Sequence, residues 1–177
     1  MKLQFGEYCL RSWRKSDAPA LVKYANNINI WRNLRDLFPH PYQLTDAEIF
    51  INRALTVQPE SLFAIATADE AIGSIGLLKK QDIHRFSAEM GYWLAEPFWG
   101  QGIMSQAVRL FSDYAFVNFN LIRIFAEPFA TNQASARVLE KAGFVLEGRI
   151  VSGAVKEGRI VDQLLYARTI TPEGPLS

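Results

Sequence analysis

The sequence predicts a mixed α/β domain in which helices cover both faces of one central sheet. Two observations predict it. Short apolar runs with strand character recur from end to end of the 177 residues, and stretches with helical spacing fall between them rather than in a separate block. The whole chain, residues 1–177, reads as one domain, without internal repeat, low-complexity segment or linker.

The first strand is expected at residues 7–13, "EYCLRSW". Ser16 followed by "DAPALVKYAN" reads as a helix start with acid and proline in its first turn. Thr45 and Glu48 have the spacing of a capping box before "IFINRAL", a second helix. Between the two helices, "INIWRNLRDLFPHPY" carries prolines and is expected to be irregular. "SLFAIATA" and "AIGSIGLLKK" flank the polar pair Asp69 and Glu70, as two strands around a tight turn, and "FSAEMGYWLA" continues the meander. After Gly102, the residues Met104, Ala107, Val108, Phe111 and Ala115 repeat at helical spacing, which gives an amphipathic helix to about Asn118 that packs on a sheet. "LIRIFAEP" is a strand. "NQASARVLEKAGF" is a short helix capped by Asn132 and stopped by Gly143, and "FVLEGRI" with "RIVDQLLYART" forms a closing hairpin. The strands number about seven, and residues 171–177 read as a frayed tail.

Composition excludes several classes of function. The 19 basic and 18 acidic side chains nearly cancel without forming blocks, so no electrostatic footprint for nucleic acid or a membrane surface is present. A single cysteine, Cys9, and two histidines, His40 and His84, are too few soft ligands for a usual zinc site, so no metal is expected. The N-terminus "MKLQFGEYCL" has no signal-peptide core and no apolar run reaches spanning length, so a cytoplasmic protein is expected.

The stretch "FWGQGIMSQA" places Gly100 and Gly102 between a strand and a helix start. Glycine has the most freedom to lose on folding, so a pair here signals a backbone that needs a conformation or an approach denied to other residues. Strand, loop and helix N-terminus together aim unpaired N–H groups and the positive end of a dipole at one point, where a phosphate would sit. The alternative is a plain strand-to-helix turn. Among phosphate loops, the Walker form needs Gly-Lys-Ser/Thr, whereas Ile103 and Met104 follow Gly102. The dinucleotide form needs a third glycine where Ser105 stands, and Glu127 meets its acidic position only loosely. A third form is the pyrophosphate loop of acetyl-coenzyme A enzymes, and a second motif decides the matter.

"YWLAEPFWGQGIMSQAV" followed, about 30 residues on, by "NQASARVLEKAGF" resembles the GNAT superfamily of N-acetyltransferases, and within it the RimJ/RimL-like branch that acetylates ribosomal-protein N-termini. The resemblance runs from Glu7 to Thr169. The family's loop pattern falls on Trp99, Gly100, Gln101, Gly102, Ile103 and Met104, with Trp99 and Met104 departing from the usual Arg/Gln and Gly/Ala. It implies acetyl-CoA as co-substrate and the GNAT fold, in which two neighbouring strands splay apart around the thioester. It also implies that backbone amides from Gln101 to Ser105 hold the pyrophosphate, that Tyr92, Trp93 and Leu94 pair with the pantetheine arm, and that Asn132 and Ser135 contact the coenzyme.

Acetyl transfer to an amine needs a neutral amine, a polarised thioester carbonyl and a proton for the departing thiolate. An α-amine titrates about 2.5 units below a lysine, which makes its neutral form about 3.4 kcal/mol cheaper at neutral pH. Glu89, on the strand before the loop, is the first candidate base, against the plain reading of a solvent-facing or ion-paired strand residue. Asp162 and His84 are weaker candidates. A backbone N–H near Trp93 or Leu94 would polarise the carbonyl. The resemblance implies that Ser135 assists the leaving thiolate, since the position where many family members carry a tyrosine acid is Leu139. Asn132 is in any case a helix cap. The aromatic residues of "RDLFPHPY" are more simply core than acceptor pocket. The expected reaction is direct transfer of acetyl from acetyl-CoA to a protein or peptide N-terminal α-amine. A small-amine acetyltransferase acting on a polyamine, amino sugar or drug, and a non-catalytic acyl-CoA-binding module, are the alternatives.

Overall fold

The computed structural model describes residues 2–171. It opens with a hairpin of β1 (Lys2–Phe5) and β2 (Tyr8–Arg11). The strand expected at 7–13 is therefore the second, and the sheet has eight strands, one more than the sequence suggests. The first is only four residues long, but Leu3 and Phe5 alternate with polar neighbours and pack on the core.

Ser16 does not cap the first helix. It lies in a 3-10 turn, Lys15–Asp17, that leads into α1 (Ala18–Ala25). Asp17 is drawn inward instead: its carboxylate accepts from Arg11 at 2.7 and 2.8 Å and from the Arg14 N–H at 2.8 Å. A buried acid with both oxygens paired ties the turn to β2, and the Asp17 hydrogen bond raises the Arg11 guanidinium above its ordinary value. The proline-containing stretch holds one short helix, α2 (Ile28–Trp31), capped by Asn27, whose side chain accepts from the Asn29 N–H at 2.8 Å. α3 (Leu44–Thr56) begins ahead of the expected Thr45 box. Asp46 takes the capping role by accepting the Gln43 N–H at 2.8 Å, which satisfies a donor that Thr45, already inside the helix, cannot reach.

The meander forms as expected, with β3 (Leu62–Ala66), β4 (Ala71–Lys79) and β5 (Ser87–Leu94). α4 (Ile103–Asn118) buries all five residues of the expected apolar face. β6 (Arg123–Ala126) and α5 (Gln133–Lys141) follow, and Gly143 ends α5 at φ +88°. The closing hairpin is longer than expected, with β7 (Val145–Lys156) and β8 (Arg159–Thr169) joined at Glu157 and Gly158, both in the left-handed region. A bulge between Ile150 and Ala154, with Ser152 at φ +53°, breaks the alternation that would have revealed the rest of β7. The tail residues 172–177 lie outside the described residues.

The sheet order is β1-β2-β3-β4-β5-β6-β8-β7, with β5 and β6 as its parallel pair. One face carries the larger core, where Phe111 of α4 meets Phe63 of β3 edge-on at 5.4 Å and Leu139 of α5 is fully buried. The other face is covered by α1 and α3 through Leu21, Ala25, Ala47 and Ile51. Helices on both faces agree with the sequence reading.

β5 and β6 pair only from Ser87 to Glu89, against Arg123 to Phe125. Beyond Glu89, β5 continues to Leu94 on β4 alone, while the chain after β6 stays with β8: Leu164 N–H donates to Pro128 O at 2.9 Å and Ala130 N–H to Asp162 O at 2.8 Å. The two strands diverge, and a gap opens in the middle of the sheet.

Candidate active site

The gap has a defined wall. Ala95 N–H donates to Ile72 O at 2.8 Å, and antiparallel bonding alternates from there, so Trp93 and Gly91 direct their backbone groups to β4. Tyr92 and Leu94 therefore turn theirs away from β4, toward the gap. Of the three strand residues expected to pair with a pantetheine arm, Tyr92 and Leu94 face the gap by backbone, whereas Trp93 turns its backbone groups to β4. Leu94 offers its N–H, because its carbonyl accepts the Trp99 indole N–H at 2.7 Å. Trp99 thus fastens the glycine loop to the end of β5.

Past Trp99, Gly100 and Gly102 both lie at positive φ, +75° and +76°, and a Cβ built on either meets no protein atom within 4 Å. Their need is therefore the left-handed backbone and open space, not close packing against the protein. Gly102 is the N-cap of α4 and supplies no side chain, and among the described residues no acceptor is found for the N–H groups of Gln101, Gly102, Ile103, Met104 and Ser105. Five free backbone donors at the positive end of a 16-residue helix suit a diphosphate. Ile103 and Met104 bury their side chains in the core, so they present backbone only, whereas the Ser105 hydroxyl is uncommitted among the described residues. The Gln101 amide folds back to donate to Pro97 O at 3.2 Å.

α5 comes to the gap on the larger-core face. Asn132 is its cap, its side-chain oxygen accepting the Ser135 N–H at 3.1 Å. The Ser135 hydroxyl meets the Tyr92 hydroxyl at 2.7 Å. Burial pushes the Tyr92 phenol above its ordinary value, with the Ser135 hydrogen bond opposing the shift. Nothing local in the sequence announces this pair, whose members stand 43 residues apart.

The opposite face presents different chemistry. Side chains alternate along β5, so Glu89 shares the face of Trp93, which meets Phe38 at 6.0 Å. Glu89 lies where the gap begins, and each carboxylate oxygen is ion-paired, one with Arg35 and the other with Lys80 at 3.1 Å. Gly91, next on that face, would place a Cβ in open space. Such a glycine inside a strand marks a site of close approach, a signal that was present in the sequence.

Arg35 also borders a cleft of about 240 Å³ between the α2–α3 connection, the chain after β6 and the β7–β8 hairpin. The hairpin is clasped over it: Lys156 donates to Asp36 at 2.7 Å and lies 3.7 Å from the Trp31 ring centroid, and Arg32 pairs with Glu157 at 3.5 Å. Glu127, weighed in the sequence only against a dinucleotide pattern, lines the cleft with a carboxylate that has no partner among the described residues.

The weaker base candidates stand apart from the gap. His84 is exposed in the β4–β5 connection, before β5 begins. Asp162 clamps the β7 bulge by accepting the Ser152 N–H at 2.8 Å and Arg149 Nε at 2.7 Å, and these hold its carboxyl below the ordinary range.

A split parallel pair beside a glycine-capped helix is the architecture the sequence motifs implied. Residues 8–145 match the Acetyltransferase (GNAT) domain family. The chain belongs to the GNAT family. This member is an acetyl-CoA-dependent N-acetyltransferase. It is 34% identical over 109 residues to the ribosomal-protein-serine acetyltransferase of Escherichia coli, covering 62% of this chain and 60% of that protein. It is 29% identical over 156 residues to the spermidine N(1)-acetyltransferase of Vibrio cholerae, covering 86% of this chain and 87% of that one. The structure of RimL, a ribosomal-protein α-N-acetyltransferase solved with coenzyme A, superposes with a TM-score of 0.84 at 26% identity, over 96% of this chain and 98% of that one. Among the described residues no cluster of His, Cys, Asp and Glu suited to a metal is found, and no helix is long and apolar enough to cross a membrane.

Proposed function

We propose that this GNAT enzyme acetylates the α-amine of a protein or peptide N-terminus. The observation that carries the reading is the charge of the acceptor cleft. Its charged lining is two cations, Arg35 and Lys156, and two acids, Asp36 and Glu127, and Asp36 is already spent on Lys156. A polyamine carries several charges and is best held by a surplus of acids, whereas one N-terminal amine followed by neutral backbone suits a balanced cleft with a single free carboxylate. The α-amine also demands less of its base than a lysine would. The likeness to the ribosomal-protein relatives supports the same reading, and the spermidine relative supports the rival one.

In this reading the loop amides from Gln101 to Ser105 hold the diphosphate, Tyr92 and Leu94 line the pantetheine path, and Asn132 borders it. The Leu94 N–H polarises the thioester carbonyl, a donor fixed in place before the reaction and therefore effective at little reorganisation cost. The amine enters from the Glu89 face, displaces Arg35 and gives its proton to Glu89 directly or through water. The tetrahedral carbon then expels the thiolate toward the opposite face, where Ser135 donates a hydrogen bond to it.

The test is thiol release from acetyl-CoA with a panel of short peptides, spermidine, an amino sugar and no acceptor. Release with peptides well above the others supports the proposal. Preference for spermidine or the sugar overturns it in favour of a small-amine enzyme. Tight acetyl-CoA binding with no release for any acceptor overturns it in favour of a binding module.

A further inference from the structure

The Tyr92 side chain has a position that its expected backbone role does not explain. It leaves β5 on the α5 face, partly buried against the larger core, and its hydroxyl ends 2.7 Å from Ser135 Oγ. The same hydroxyl donates to the Ser135 carbonyl at 3.4 Å. Either hydroxyl could donate in the shorter contact; with the buried phenol as the donor, the hydrogen lies on the line to Ser135 Oγ. A serine hydroxyl has one hydrogen and two acceptor sites. In that arrangement one acceptor site of the serine is filled by Tyr92, and its own hydrogen is free to point into the gap.

We propose that Tyr92 is a positioning residue for acetyl transfer, its phenol orienting the Ser135 hydroxyl so that the serine donates to the sulfur of the departing thiolate. The inference rests on the reading that Ser135 assists that departure. The amine nitrogen forms the new C–N bond, and the C–S bond breaks with its electron pair on sulfur. The nitrogen sheds one proton to a carboxylate or water, and the thiolate takes one from solvent. Tyr92 and Ser135 keep theirs, and lower the barrier by hydrogen bonding alone. A phenol donating into a hydroxyl also strengthens that hydroxyl as a donor, because successive hydrogen bonds polarise one another. α5 offers no replacement donor on its buried face, where Leu139 and Ala136 are apolar.

Tyr92→Phe removes one oxygen and keeps the ring, so the core packing survives. The experiment measures steady-state kinetics for the parent, Tyr92→Phe, Ser135→Ala and the double variant, with a good acceptor and with melting temperatures as a check on folding. The proposal expects Tyr92→Phe to lower kcat about tenfold, the scale of one lost hydrogen bond, with KM for acetyl-CoA changed less than about twofold. It expects the double variant to match Ser135→Ala, since the phenol acts only through the serine. Full activity of Tyr92→Phe beside an impaired Ser135→Ala overturns the role of Tyr92 and leaves that of Ser135 standing. Losses that multiply in the double variant also overturn it. Full activity of Ser135→Ala overturns the serine reading itself, and the positioning role with it.

Discussion

The indole N–H of Trp99 donates to the carbonyl of Leu94 at 2.7 Å, so the loop that offers five backbone donors is pinned to the strand that lines the gap in the sheet. One bond thereby ties together the two parts of the proposed coenzyme site. Trp99→Phe keeps a smaller aromatic ring and loses the donor, at a cost of about 1 kcal/mol for the hydrogen bond. The expected outcome is a KM for acetyl-CoA raised about fivefold with a nearly unchanged kcat, read by initial rates over a range of acetyl-CoA concentrations.

Acetyl-CoA at 100 times its Kd should stabilise the fold by about 2.7 kcal/mol, which a thermal shift resolves. Gly102→Val should abolish that shift, because valine disfavours φ +76° and its branched side chain fills the open space in front of the α4 amides. A folded Gly102→Val protein that keeps the full shift would contradict the loop assignment.

Glu89→Gln should leave acetyl-CoA binding intact and slow turnover at neutral pH, with the deficit shrinking as pH rises and the amine deprotonates unaided. The informative quantity is the ratio of variant to parent rate between about pH 7 and 9.5. A flat ratio removes Glu89 as the base, and the same profile for Glu127→Gln reads whether the free cleft carboxylate takes that role.

Much of this was legible in the sequence, for reasons that particular residues illustrate. Met104, Ala107, Val108, Phe111 and Ala115 repeat along one helical face, and a sheet was needed to bury them. Gly100 and Gly102 marked a loop that needs what only glycine allows, and both lie at positive φ. The second half of β7 was hidden because Ser152 and Gly153 bulge out of the alternation, and the true box of α3 used Gln43 and Asp46, an atypical pair two residues before Thr45 and Glu48. The chemistry of the gap was the least legible. Arg35 reaches Glu89 across 54 residues and Tyr92 reaches Ser135 across 43, and no local period encodes such a meeting.

Glu70 connects α1 to the β3–β4 turn by accepting from Tyr24 Oη at 2.7 Å and Lys23 Nζ at 3.0 Å. The Tyr24 hydrogen bond, then Lys23, hold its carboxyl below the ordinary 4.5. A lowered folded-state value contributes stability above pH about 4.5 that is lost as pH falls through that lowered value. Glu70→Gln should therefore be less stable than the parent at pH 7, and the difference should shrink as pH falls below the ordinary 4.5, as read from urea midpoints over that range.

The most direct measurement supplies acetyl-CoA and a peptide that bears both a free N-terminus and an internal lysine, with spermidine in the same tube, and locates the transferred acetyl group by mass spectrometry. The account predicts acetyl on the peptide α-nitrogen, with the lysine and spermidine essentially unmodified. Acetyl found on spermidine while the peptide N-terminus stays free would contradict it.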